Sequence, residues 1–559
     1  MARRLKIVQL CFLAGFLAVL GKLFYWQILD HQRLGALAIQ QYSTRREVPA
    51  ERGIIYTLDD FPLVLNTKTY RLFANPSQLK ITPAELNARL REIIGPDFTP
   101  PSLLENKNLQ WLSLATEISS ETRAKIEKLA IAGLGFDEEE KRFYPEASLS
   151  AHLLGFVGVD ENGRSKGYFG LEGFYDNELR GKTGWRFFEQ DALGRPIPFT
   201  LEAEEKPIAG RNLFLNLDRA VQFIAEKYLK EGIEKYKAKS GTVTVMNPQT
   251  GAVLAMAAFP SYDPASYYNF NSDLYRNPVI SSVFEPGSIF KVLVMAAGID
   301  SGAVRAEETC PICAGPRQIY DYTIRTWNDR YYPNSSMTDI IVHSDNVGMT
   351  YVSGKMGLDV FYEYLKRFGL GEKTGIDLQG ELAAPLREKK NWYEIDLATA
   401  SFGQGIAVTP IQMLAAVSAI ANGGTLYQPQ VVKKIIGEGR SVEIDPVVKG
   451  HPISPATAKI VTQMMIHAVE EGEAKWAKPA GYSIAGKTGT AQIPIAGHYD
   501  PEKTLASFIG FAPADHPRFV MLVTLSEPQT SPWGSETAAP LWFNIAKEIF
   551  RLWKIPPTG

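Results

Sequence analysis

The chain has 559 residues, of which 45% are hydrophobic, 21% charged and 11% aromatic. Those are globular proportions, so a collagen-like, low-complexity or mainly disordered chain is excluded, and the length suggests about three to four domains at roughly 150 residues each. With 59 basic and 61 acidic side chains the net charge is −2, which leaves no basic excess for a nucleic-acid backbone. The only cysteines, Cys11, Cys310 and Cys313, are too few for a disulfide framework or for two CxxC halves of a zinc site.

Ile7 to Leu29 is apolar apart from Gln9, Lys22 and Gln27. As a helix it spans about 34 Å, enough for a hydrocarbon core of about 30 Å. Arg3, Arg4 and Lys6 precede it, and Asp30 is the first acid. The positive-inside rule therefore puts residues 1–6 in the cytoplasm and the remainder outside, with Tyr25 and Trp26 at the interface. A cleaved signal peptide is the competing reading, but apolar residues run on to Leu29 with no small-residue cleavage site after them. His31 to Arg46 reads as a helical stalk. Val48 to Phe73 alternates short β-prone runs with turn residues, and Ser119 caps a helix running to Leu129. Gly155 to Gly194 is glycine-rich, which points to loops and strands. Leu201 to Ala209, acidic and then proline-bearing, reads as a linker.

A second regime begins near Arg211. Asp218 caps a helix over Arg219 to Tyr236. Gly241-Thr-Val-Thr-Val-Met and Ala252-Val-Leu-Ala-Met-Ala flank Asn247-Pro-Gln-Thr-Gly and read as a hairpin. Late strands at Ser483–Ile493, Leu505–Phe511 and Arg518–Ser526 precede an amphipathic helix from Pro540 to Trp553. The order predicts an α+β domain, an antiparallel sheet with helices packed on it.

Three short motifs lie in this half: Ser288-Ile-Phe-Lys291, Ser344-Asp345-Asn346 and Lys487-Thr488-Gly489-Thr490. Each is weak alone. Ser77-Gln-Leu-Lys80 repeats the first pattern, and Lys182 and Lys373 also begin Lys-Thr-Gly. Context separates them. Glu285-Pro-Gly stops the chain before Ser288, and an apolar helical run follows. Three residues on a helix put Lys291 on the face of Ser288. A serine hydroxyl needs a base, and a lysine whose pKa is lowered by burial or a second cation can serve. Ser77 follows Asn75-Pro76 and reads as an exposed turn. Ser344 could relay a proton, and the Asn346 amide could hold a substrate backbone through both donor and acceptor. Lys487 lies within a β-run, whose alternation sets Lys487, Gly489 and Ala491 on one face and Thr488 and Thr490 on the other. A glycine there admits a ligand backbone, and a lysine with two hydroxyls suits a carboxylate. Lys182 precedes this domain, and Lys373 reads as a turn entering a short strand.

With its motifs in this order, the chain resembles a class B, monofunctional penicillin-binding protein, and most closely the division-specific branch. Phe284-Glu-Pro-Gly-Ser-Ile-Phe-Lys, Ser401-Phe-Gly-Gln-Gly-Ile-Ala-Val-Thr-Pro and Ser507-Phe-Ile-Gly-Phe-Ala-Pro-Ala-Asp are similar to the family's transpeptidase domain. Arg52-Gly53-Ile54 and Gly170-Leu-Glu172-Gly-Phe-Tyr-Asp are similar to its non-catalytic dimerisation domain, or pedestal. The resemblance implies a transmembrane anchor at 7–29, an elongated β-rich pedestal at 30–210 and a serine-β-lactamase-like transpeptidase domain at 211–559. It implies a D,D-transpeptidase that cross-links peptidoglycan stem peptides. In that scheme Ser288 is the nucleophile, Lys291 the base, Ser344 the proton relay to the leaving D-alanine, and Asn346 and Lys487 further catalytic residues. Thr488, Gly489 and Thr490 bind substrate, and the backbone N–H groups of Ser288 and Thr490 form the oxyanion hole. It implies acylation by β-lactams, no cofactor and no metal. It further implies a polytopic SEDS-type glycan polymerase and other division proteins as membrane partners, and a septal role, with elongation the other branch. A β-lactam sensor, a β-lactamase and a non-catalytic scaffold are the competing readings; the large first half argues against the first two and the intact trio against the last.

Two features depart from the family pattern. The pedestal turn reads Thr57-Leu58-Asp59-Asp60 where an Asp-Arg-Asn-Gly-like turn is usual, which puts the ion pairing there in doubt. Cys310 and Cys313 form a CxxC after the active-site helix; a short-loop disulfide is open to them outside the membrane.

Overall fold

A computed structural model of the chain describes residues 1–161, 163–189, 204–495 and 498–557. The chain divides into two compact units, Met1–Arg52 with Arg180–Gly210, and Gly53–Leu179 with Arg211–Gly559.

In the first unit a helix over Ala2–Phe24 passes into a π-helical turn over Tyr25–Leu29. Together they make one apolar span of 28 residues, long enough to cross a membrane. The expected stalk is shorter than predicted: its helix is His31–Tyr42, and Ser43–Val48 is a strand. That strand pairs antiparallel with Gly184–Glu189, from Ser43 opposite Glu189 to Val48 opposite Gly184. A partner 140 residues away in sequence overrides local helical preference here. Of the expected linker, residues 201–203 lie outside the described residues, Glu204–Glu205 is strand and Ile208 bridges to Lys182.

The second unit opens with a seven-stranded sheet, in spatial order Arg440–Glu443, Val432–Gly437, Asn212–Leu215, Ile55–Tyr56, Pro62–Ala74 and Leu112–Ile118, with Leu134–Phe143 also on Pro62–Ala74. Three of its strands follow Arg211, so the sheet crosses the boundary that composition suggests there. Glu172 is fully buried and accepts a 2.8 Å bond from Arg142, which also donates to Asn66 at 2.7 Å. Pairing and extra hydrogen bonds are what make such a buried charge tolerable. The aberrant pedestal turn closes by a Thr57 hydroxyl bond to Asp59 and by backbone bonding from Thr57 to Phe61.

The catalytic half has these elements in chain order: α1 Arg219–Tyr236, β1 Ser240–Met246, β2 Val253–Phe259, α2 Lys291–Asp300, α3 Met337–Val342, α4 Asn346–Arg367, α5 Pro410–Ala421, α6 Pro455–Glu470, β3 Ala485–Ile495, β4 His498–Ala512, β5 Phe519–Ser526 and α7 Ala538–Leu552. The strands form one antiparallel sheet, β2-β1-β5-β4-β3, with β3 at an edge. Alternation gives the sheet two apolar faces. Val243, Val245, Phe508 and Met521 meet α1 and α7, where the buried Trp542 indole donates to the Met521 carbonyl at 2.8 Å. Ile509, Val520 and Leu522 belong to the core that also holds α2 and α5. Every residue of α5 is buried, as befits a helix apolar all round. Cys310 and Cys313, both fully buried, are joined in a disulfide.

Candidate active site

The Glu285-Pro286-Gly287 turn makes the nucleophile position. Gly287 has φ +56, and a Cβ there would sit 3.2 Å from the Thr490 carbonyl. A left-handed residue with so little room is a position for glycine. Ser288 lies in a 3₁₀ turn, Gly287–Phe290, and α2 starts only at Lys291; the sequence predicts a helix from Ser288 itself. The turn is pinned from behind: Gly287 donates to the Gly403 carbonyl at 3.0 Å, and Phe284 and Val408 bridge. The Ser401-Phe-Gly-Gln-Gly stretch thus backs the nucleophile.

Lys291 is fully buried. Its Nζ donates to the Ser344 carbonyl at 2.6 Å and to Asn346 Oδ1 at 2.7 Å, and Ser344 Oγ lies 3.2 Å from it. The second motif sits at the α3–α4 junction. Ser344 takes a left-handed φ of +55, and Asp345 caps α4 by accepting from Gly348 N at 3.1 Å. The strained Ser344 conformation turns both its carbonyl and its hydroxyl onto Lys291. Asn346 spends its amide donor on the Arg325 carbonyl at 2.9 Å, which leaves Oδ1 facing Lys291. Burial pushes Lys291 well below the usual lysine range, and the Lys487 cation adds to this, while Asp345 and Glu473 oppose it. Asp345 Oδ2 is buried without a hydrogen-bond partner among the described residues.

The third motif lies on the edge strand β3, with Lys487 opposite Ile509 and Gly489 opposite Ser507. A Cβ on Gly489 would meet Ser507 Oγ at 2.4 Å and Ile289 at 2.9 Å, so glycine lets the strand close onto the nucleophile turn. Lys487 is 3% exposed, and its Nζ donates to Thr488 Oγ1 at 3.3 Å. Burial lowers it to about 8, against the pull of Glu473. Thr490 Oγ1 accepts from Gly534 N at 2.9 Å, leaving its own proton to donate.

The structure therefore packs the nucleophile turn that carries Ser288 against Gly489 and Thr490, and Lys291 against Ser344 and Asn346, with Thr488 bonded to Lys487. It keeps the look-alikes out. Ser77 bonds Asn75 in an exposed turn, Lys182 pairs with Glu205 at 3.2 Å in the first unit, and Lys373 is exposed in a loop. Residues 373–375 enter no strand, since only Gln379 makes a β-bridge; the Thr374 backbone instead bonds Glu381. A separate cavity of about 750 Å³ is lined by Phe284, Glu285, Ala491 and His152, but by none of the motif side chains. Sequence reasoning missed Arg325 and Gly534, which bond Asn346 and Thr490. They lie in irregular loops whose spacing carries no periodic signal.

A serine in the 3₁₀ turn that leads into α2, a lysine with a lowered pKa at the start of that helix, and a lysine-bearing edge strand define a serine enzyme of the Ser-x-x-Lys class. Family models agree: residues 241–551 match the penicillin binding protein transpeptidase domain and residues 47–215 the penicillin-binding protein dimerisation domain. The chain belongs to the penicillin-binding protein transpeptidase family. It is 32% identical over 554 residues to the stage V sporulation protein D of Bacillus subtilis, covering 98% of this chain and 85% of that one. It is 30% identical over 566 residues to the peptidoglycan D,D-transpeptidase FtsI of Escherichia coli, covering 98% and 91%. The crystal structure of penicillin-binding protein 2X from Streptococcus thermophilus superposes with a TM-score of 0.77 at 26% identity, covering 91% of this chain and 80% of that one.

Proposed function

We propose that this chain cross-links peptidoglycan as a D,D-transpeptidase, through an acyl-enzyme on Ser288. The observation that supports it most directly is the surroundings of Lys291. The Ser344 carbonyl and Asn346 Oδ1 can only accept, so they use two N–H donors of a neutral amine. The lone pair is then left for a hydroxyl. A lysine held neutral by burial and by Lys487 can take the Ser288 proton as Oγ attacks the carbonyl between two terminal D-alanines. Ser344 passes a proton to the departing D-alanine. Lys487, Thr488 and Thr490 hold the terminal carboxylate, with the Thr490 hydroxyl proton directed to it because the Gly534 N–H already donates to the Thr490 oxygen. Gly489 allows the close approach, and Asn346 orients the peptide. The Ser288 and Thr490 N–H groups form the oxyanion hole, where one donor is commonly worth about 3–4 kcal/mol. A second stem-peptide amine resolves the ester; β-lactams enter the same path and stay attached.

The apolar span anchors the chain, with Arg3, Arg4 and Lys6 cytoplasmic and the catalytic domain outside. The pedestal occupies 30–210 and the transpeptidase domain 211–559. Likeness to FtsI supports a septal role, and the partners we propose are a SEDS-type glycan polymerase and other division membrane proteins. The test is covalent labelling by fluorescent penicillin: the wild-type chain labels, and Ser288→Ala does not while keeping its thermal transition. Undiminished labelling of Ser288→Ala would overturn the assignment.

A further inference from the structure

Trp327 and Trp533 are separated by about two hundred residues, yet their rings lie 5.1 Å apart with an interplanar angle of 62°. They are 43% and 37% exposed, unusual for two large apolar side chains in contact. Each belongs to a loop tied to a different wall of the catalytic cleft. Trp327 follows Arg325, whose carbonyl receives the Asn346 amide at 2.9 Å. Trp533 precedes Gly534, whose N–H donates to Thr490 Oγ1 at 2.9 Å. Asn346 lies 2.7 Å from Lys291 Nζ, and Thr490 abuts the nucleophile turn through its carbonyl. The two indoles therefore bridge from the Asn346 wall to the β3 wall. The Trp533 backbone is held: its N–H donates to Ser531 Oγ at 3.2 Å, and Thr537 Oγ1 donates to its carbonyl at 2.7 Å.

An edge-to-face pair leaves π surface uncovered, and an indole face is the best side-chain platform for a cation. A transpeptidase has a second substrate that is a cation in water, the acceptor's primary ammonium. We propose that Trp327 and Trp533 form the acceptor site, binding a primary ammonium on an aliphatic chain by cation–π contact while their apolar bulk keeps water from the ester. This rests on the transpeptidase reading above. The acceptor binds as the ammonium and releases one proton to solvent. Its lone pair forms the C–N bond as the bond from Ser288 Oγ to the acyl carbon breaks, and the second amine proton returns to Oγ. Nothing else is consumed.

The test uses the detergent-solubilised full chain, a small D-alanyl thioester as donor and an alkyl primary amine as acceptor, with methoxyamine as an acceptor that is uncharged at neutral pH. In Trp327→Leu and Trp533→Leu the half-saturating concentration of the alkylamine should rise about 3- to 30-fold, the range a cation–π contact supplies. The methoxyamine response and the rate of penicillin labelling should stay near wild type, and Trp→Phe at either position should restore most of the alkylamine affinity. Unchanged half-saturation in both Leu variants, with labelling intact, overturns the proposal. So does loss of labelling, which would place the indoles in acylation itself. A wild-type chain that takes no label overturns the transpeptidase reading, and the acceptor site with it.

Discussion

Two buried lysines share the cleft, and their opposite requirements set its pH response. Lys291 acts as a base only when neutral, and burial with the neighbouring Lys487 cation lowers its pKa well below the usual value, so the neutral fraction grows as pH rises. Lys487 attracts a carboxylate only when protonated, and burial brings its pKa to about 8. Acylation by fluorescent penicillin should therefore rise with pH and then fall as pH passes about 8, the bell shape of a base and an acid acting together. Rates measured from pH 6 to 10 check this; a limb still rising above pH 9 would contradict the role of Lys487. Removing that charge should slow acylation by about 10- to 100-fold, the usual worth of a charged hydrogen bond. Lys182→Ala and Lys373→Ala, both on exposed side chains, should label like wild type.

At the scale of elements, the site is an abutment of a 3₁₀ turn, an α-helix junction and an edge strand, and glycines set the spacing. Gly403 has φ +82, and a Cβ there would lie 2.2 Å from the Gly287 carbonyl oxygen. Backbone strain and collision act together, so Gly403→Ala should lower stability by about 1–3 kcal/mol or more and slow labelling by displacing the nucleophile turn. Gly315, with nothing within 4 Å and no positive φ, is the control: Gly315→Ala should leave both thermal midpoint and labelling rate unchanged. Equal behaviour of the two variants would show that the Gly403 contact does not position the turn.

At the scale of the molecule, the second unit joins pedestal and catalytic halves through more than covalent connection. Asp377 accepts from Val431 N at 2.6 Å, Val432 N at 2.8 Å and the Tyr175 hydroxyl at 2.9 Å. Gln379 accepts from Phe169 N at 2.6 Å, and Glu226 from Ser150 N at 2.6 Å. Asp377→Ala would leave two buried N–H groups unmet, at a cost of about 2–4 kcal/mol. Calorimetry should show the midpoint falling while Gly53–Leu179 and Arg211–Gly559 still unfold in one transition. Two separated transitions in the wild-type chain would refute this coupling.

The sequence by itself determined the elements that carry their own periodic or capping signal. The apolar span from Ile7 was legible, as were the helix over Arg219–Tyr236 behind Asp218, the hairpin around Asn247 and the final amphipathic helix. The β-run around Lys487 was legible too, and it sets this Lys-Thr-Gly motif apart from those at Lys182 and Lys373. Tertiary structure decided the rest. Ser43–Val48 became a strand because Gly184–Glu189 lies beside it. Asn212–Leu215 joined the pedestal sheet because Ile55–Tyr56 offered a parallel edge. Trp327 met Trp533 across loops with no pattern to read. Local periodicity records which face of one element is buried; it does not record which distant segment covers that face. That choice is made only when the whole chain closes and its buried polar groups find partners.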